Sequence, residues 1–118
     1  LPILSVIAAQ AEGTTVFTDI ERLRLKESDR IATTSAMLTA MGVPCESDEH
    51  TMRVTGVKQL HGGCSVDSAN DHRIAMAAAI AALNCDAPIT LTGANAVNKS
   101  YPHFFNDYAS LGGVCDGI

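Results

Sequence analysis

Residues 11–45, AEGTTVFTDIERLRLKESDRIATTSAMLTAMGVPC, and residues 85–116, CDAPITLTGANAVNKSYPHFFNDYASLGGVCD, carry the same parts in the same order. Each opens on a β-branched run, passes through a loop carrying lysine and then serine, enters a helical segment and closes on Gly-Val. The offset is roughly 70 residues, and it also lays the apolar segment 3–11 on segment 73–83. The chain therefore holds about one and a half copies of a β-α-β-type unit, which gives an α/β (α+β) fold built from repeats. Residues 1–118 read as a single partial domain, because two partial copies rarely bury a full core alone. Leu1 falls inside an apolar helical pattern with no cap or lead-in, which points to a piece of something larger.

The elements between the repeats follow from local signals. Ile3, Val6, Ile7 and Ala11 recur at helical spacing up to a stop at Gly13. TTVFTDI reads as a strand and ERLRLKE as a polar connection. A helix is expected from Ser28 or Asp29 to Met41, stopped by Gly42. VPCES and TMRVTGV are short strands around the acidic DEH turn, and Gly62-Gly63 leads into the strand CSVDS. SANDHRIAMAAAIAAL, residues 68–83, gives a helix over about 71–84, capped by Asn70 or Asp71. PITLTG is a strand and NAVNKS a connection; Pro102 fits the first position of a last helix ending at Gly112-Gly113. VCDGI reads as the start of another strand. Met37, Met41, Met52 and Met76 fit core faces, and His50, His61 and His103 show no metal-ligand spacing.

Composition narrows the partners. The chain of 118 residues is 47% hydrophobic and 18% charged, a globular composition. With 8 basic and 13 acidic residues it is net −5, so no overall cationic field invites nucleic acid or an anionic membrane, and any anion site is a local cluster. No run approaches the roughly 20 apolar residues of a membrane span, and the apolar start lacks the positive residues of a secretory leader. Cys45, Cys64, Cys85 and Cys115 are widely spaced and form no C-x-x-C pair. They read as reduced, buried thiols in a cytoplasmic protein with no metal.

Three helix entries carry cations where the helix dipole would favour acids. Lys26 lies just before the helix that opens with Arg30; Arg73 follows the cap Asp71; Lys99 lies just before the last helix. A helix start with free N–H groups and a fixed cation can bind phosphate or carboxylate, and arginine adds two-pronged recognition of either. The plainer reading is a solvated arginine reaching for a nearby carboxylate, Glu27 for Arg30 and Asp71 for Arg73. Recurrence in a repeated frame favours the anion site, since helices packed side by side point their N-termini at a common region. Glu27 among these cations either serves as acid or base or balances their charge. His72 either caps and packs or exchanges protons.

LRLKESDR, NDHRIAMA and NKSYPHF, in that order and separation, resemble the C-terminal part of the 5-enolpyruvylshikimate-3-phosphate synthase (3-phosphoshikimate 1-carboxyvinyltransferase) family. The resemblance covers the whole chain, including the leading AEGTT. The sister family, UDP-N-acetylglucosamine enolpyruvyl transferase, shares the repeated architecture but lacks both L-x-K-E-S-D-R and D-H-R in this form. It stands as the alternative, beside a non-catalytic anion-binding module.

The resemblance implies a partial inverse α/β barrel of repeated β-α-β-α-β-β units, in which this chain supplies the C-terminal portion of the second of two domains. It implies that Arg30, Arg73 and Lys99 hold the carboxylate and phosphate of phosphoenolpyruvate, and that Lys26 contacts shikimate 3-phosphate. Glu27 would help protonate the methylene carbon of the enol, and His72 would assist or orient at the edge of the site. The implied reaction is addition–elimination: the 5-hydroxyl attacks C2, C3 takes a proton, and phosphate leaves the tetrahedral intermediate. It implies no cofactor, and a site completed by the remainder of the same polypeptide; glyphosate occupies the phosphoenolpyruvate position in the family. Two departures matter. The family aspartate that helps deprotonate the 5-hydroxyl would fall just upstream of Leu1, and Arg22 stands where an asparagine often precedes the lysine. Residues 1–118 alone are therefore expected to have no synthase activity.

Overall fold

The computed structural model describes residues 2–18, 20, 29–48 and 51–114, the Lys99 side chain excepted. The segment 21–28, with Arg22, Lys26 and Glu27, and the VCDGI run from Cys115 lie outside the described residues.

The chain runs α1 (Pro2–Ala9), β1 (Thr14–Phe17), α2 (Arg30–Ala40), β2 (Cys45–Ser47), β3 (Met52–Thr55), β4 (Ser65–Asp67), α3 (His72–Ala82), β5 (Thr90–Thr92), a 3₁₀ helix (Ala94–Lys99) and α4 (Phe104–Ser110). Strand β3 is central in an antiparallel sheet of order β1-β3-β2, with Val16 opposite Arg53 and Cys45 opposite Val54. Strands β4 and β5 pair in parallel, Val66 beside Leu91, and a parallel bridge between Leu60 and Cys85 extends the pairing. A parallel pair needs a crossover, which α3 provides. The order α-β-α-β-β followed by β-α-β-α is the one-and-a-half-copy arrangement expected from the repeat.

Local chemistry sets the ends of α2. Asp29 is the cap that forms: its carboxylate accepts from Ala32 N at 3.2 Å. Gly42, at φ +81°, closes the helix, and Val43 N donates to Leu38 O at 3.0 Å.

Helix α3 is rich in alanine because it is buried on two sides. Ala77, Ala78 and Ala81 pack into the main core with Val6, Met37, Leu38, Met41, Met52, Val54 and Val66. Ala75 and Ala79 pack into a second cluster with Ala96, Val97 and Phe105. Methyl-sized side chains at these positions let α1, α2 and the 3₁₀ helix approach it closely.

The structure departs from the sequence reading at several points. Helix α1 forms as the spacing indicates, with Val6 buried, but its largest side chains do not face the core: Ile3, Leu4 and Ile7 are 43%, 55% and 60% exposed, while Ser5, Ala8 and Ala9 are buried. Close packing against the alanines of α3 selects the small residues of α1 and turns the large ones outward. Within NAVNKS, read as a connection, residues 95–99 belong to a 3₁₀ helix, which Lys99 ends. Pro102 is not the first residue of α4; it sits in a turn in which Phe104 N donates to Tyr101 O at 3.0 Å, and α4 begins at Phe104. Lys99 therefore lies five residues before that helix rather than beside its cap. The cysteines at 45, 64 and 85 are free thiols but half-buried rather than buried. Met37, Met41 and Met52 are in the core, with Met76 partly buried beside the second cluster.

Candidate functional site

The chain approaches α3 through a strained turn. Ala69 and Asn70 follow β4 with φ +52° and +57°, and Asp71 N donates to Ser68 O at 2.9 Å. Asparagine tolerates the left-handed region better than alanine. Ser68 is buried and donates from Oγ to Gly93 O at 2.8 Å, which fixes the turn against the end of β5. The result aims Asp71 at the first turn of α3, where Oδ1 accepts from Arg73 N at 3.0 Å.

The same carboxylate reaches across to α2. Arg30 Nε donates to Asp71 Oδ2 at 2.9 Å, and Arg30 Nη2 donates to Asp71 Oδ1 at 3.3 Å. The N-termini of α2 and α3 are thus joined by a two-pronged ion pair with side chains 11% and 0% exposed. The plainer reading, in which Asp71 pairs with the Arg73 guanidinium, does not hold: Asp71 takes the backbone N–H of Arg73 and the side chain of Arg30. The reason is geometric, because an N-cap carboxylate faces back over the first turn toward its own N–H groups and toward whatever helix start lies beside it.

The Arg73 guanidinium is exposed and has no ion-pair partner among the described residues. It lines a groove of about 260 Å³ between α1 and α3 with Pro2, Ile3, Met76, Ala77 and Ile80. His72, the first residue of α3, is buried. The backbone of Lys99 is in the 3₁₀ helix packed against α3. Arg30, Asp71, His72 and the Arg73 backbone are therefore brought together around two adjacent helix starts. Lys26 and Glu27 lie outside the described residues. The contact that sequence reasoning missed is Arg30 with Asp71, 41 residues apart.

Other titratable groups lie apart from this cluster. His61 Nδ1 is 3.0 Å from Asp86 Oδ2, an exposed pair. The Gly62 N–H, then His61, hold the Asp86 carboxyl below its ordinary range. Burial pushes the Cys45 and Cys85 thiols up, so both stay protonated. No described helix is long and apolar enough to cross a membrane.

Solved structures carry the same arrangement of helices and strands. The enolpyruvyl transferase NikO from Streptomyces tendae superposes on 96% of this chain and 25% of its own at a TM-score of 0.78, with 24% identity, a likeness of fold. An EPSP synthase structure from Acinetobacter baumannii superposes on 95% of this chain and 26% of its own, with a TM-score of 0.85 and 38% identity. The fold is that of the enolpyruvyl transferases. Residues 1–108 match the model of EPSP synthase (3-phosphoshikimate 1-carboxyvinyltransferase), and the chain belongs to that family. The 3-phosphoshikimate 1-carboxyvinyltransferase of Clostridioides difficile strain 630 is 45% identical over 116 residues, and that of Clostridium acetobutylicum 47% over 113. These alignments take in 98% and 96% of this chain, which spans 26% of the length of each relative.

Proposed function

We propose that this chain is the C-terminal portion of the second domain of a two-domain synthase. The whole protein would transfer the enolpyruvyl group of phosphoenolpyruvate to the 5-hydroxyl of shikimate 3-phosphate and release phosphate. Family membership supports the reaction, and the observation that carries the site is the junction of the α2 and α3 starts through Arg30 and Asp71. Both substrates are polyanions, so fixed cations must screen their repulsion and stabilise the departing phosphate. Arg30, Arg73 and Lys99 hold phosphoenolpyruvate, and Lys26 holds shikimate 3-phosphate. Glu27 delivers a proton to C3, and His72 orients groups at the edge of the site. The rest of the polypeptide completes the cleft, in the cytoplasm, where free thiols such as Cys64 persist.

The test is phosphate release from the two substrates by the full-length gene product, beside Glu27→Gln and Arg73→Ala. We expect each variant to lose at least about 100-fold in kcat/KM, and residues 1–118 alone to show no turnover. Unchanged rates in both variants overturn the residue roles. Turnover by the isolated chain overturns the need for the remaining polypeptide.

A further inference from the structure

The Arg30–Asp71 pair closes one edge of the guanidinium, and among the described residues nothing bonds the other. Nε and one hydrogen of Nη2 are committed to the carboxylate. The remaining donors, on Nη1 and the outer side of Nη2, form a second fork directed away from Asp71. Asp71 cannot swing aside to release Arg30 without cost. Its side chain is fully buried, and the oxygen that takes Nη2 also takes Arg73 N at 3.0 Å, so turning the carboxylate uncaps α3.

We propose that Asp71 is a positioning residue for the enolpyruvyl transfer. It holds Arg30 side-on, so the guanidinium meets the anionic substrate end-on with its free fork, and it ties that fork to the start of the helix carrying Arg73. A buried ion pair adds little net stability compared with apolar packing of the same volume, because both charges lose water. The contribution of this pair lies in orientation: a guanidinium free to rotate pays that entropy whenever substrate binds. The pair also divides the labour between the two arginines. Arg30, paired with Asp71, supplies direction, and Arg73, with no ion-pair partner among the described residues, supplies charge. The inference rests on the reading of Arg30 as a phosphoenolpyruvate ligand.

Three variants of the full-length protein test it: Arg30→Ala, Asp71→Asn and the double variant. Asparagine caps helices as well as aspartate does, so Asp71→Asn keeps an acceptor for Arg73 N and removes the charged clamp. The expected result is a KM for phosphoenolpyruvate raised about 10- to 100-fold, with the KM for shikimate 3-phosphate within about twofold. In the Arg30→Ala background the same change should add less than about twofold, since both act through one group. An unchanged phosphoenolpyruvate KM in Arg30→Ala overturns the ligand reading. A raised KM there with no change in Asp71→Asn overturns the positioning role alone, as does full additivity. Should Asp71→Asn fail to fold, arginine-side-chain ¹⁵N spectra of the unaltered protein decide. The Arg30 Nε–H should exchange slowly and hold its shift on adding phosphoenolpyruvate while the Nη signals move; a moving Nε signal overturns the clamp.

Discussion

The two copies of the repeated segment, α1–β1–α2 and α3–β5–α4, share an order of parts and differ in what covers them. In the first copy β1 is paired with β3, and α2 runs 11 residues with Ile31, Thr34, Met37 and Leu38 buried. In the second copy β5 is paired with β4, and α4 runs 7 residues with Phe105 as its buried residue. Short helices gain most of their stability from packing rather than propensity. The β2–β3 hairpin and β4 give α2 a surface to lie on, whereas α4 rests on the side of α3 through Phe105 and the Tyr108 hydroxyl bonded to Ala79 O. The repeat in sequence thus specifies the same elements, and the neighbours decide how long each one runs.

The copies coincide at the entry to their strands. Ala11 and Ala87 each lie three residues ahead of the strand, and the carbonyl of each presses on a glycine: an added Cβ would sit 1.5 Å from Ala11 O at Gly56 and 1.7 Å from Ala87 O at Gly62. If the copies are equivalent there, Gly56→Ala and Gly62→Ala should each cost at least about 3 kcal/mol, since backbone must move. Thermal melts of the full-length variants measure this, and a loss at one glycine alone breaks the equivalence.

The helices should separate the copies next. Leu38→Ala empties the main core and should cost about 3 kcal/mol globally. Phe105→Ala should cost less than about 2 kcal/mol, because α4 can open locally. Hydrogen exchange should then show faster amides in α4 with β1 and β3 unchanged; equal loss of protection in both would mean that α4 is integral to the core.

The smallest difference is one of pH. Four residues ahead of the strand the first copy has Gln10 and the second Asp86, whose carboxylate holds the Gly62 N–H and His61. A carboxyl depressed in the folded state adds stability that is complete above its unfolded pKa and is lost as pH falls through the folded value. The Gly62 amide shift should therefore titrate below the ordinary aspartate range, and a midpoint within that range would remove the Gly62 clamp.

Much of this was legible in the sequence, through signals that act over a few residues. Asp29 and Asp71 cap where cap chemistry places them, and Gly42 closes α2. The outward turn of Ile3, Leu4 and Ile7 was not legible, because periodicity gives a face but not which face a neighbouring alanine helix will accept. Nor was the pairing of Arg30 with Asp71, since each residue is explained locally by its own helix start. The 3₁₀ helix over Ala94–Lys99 escaped because a single tight turn leaves no apolar period to count. Of the six residues assigned to the site, the side chains of Arg30, His72 and Arg73 have described positions; Lys26 and Glu27 lie outside, and Lys99 is described by its backbone.

The double burial of α3 bears on how such a chain can vary over generations. Enlarging Ala77 or Ala78 presses on the main core, and enlarging Ala75 or Ala79 presses on Phe105 and the 3₁₀ helix. Either push moves a rigid rod whose tip carries Asp71, His72 and Arg73. A single methyl gained a full turn away from that tip is thus a route by which drift would retune the proposed anion site, while every residue assigned to it stays the same.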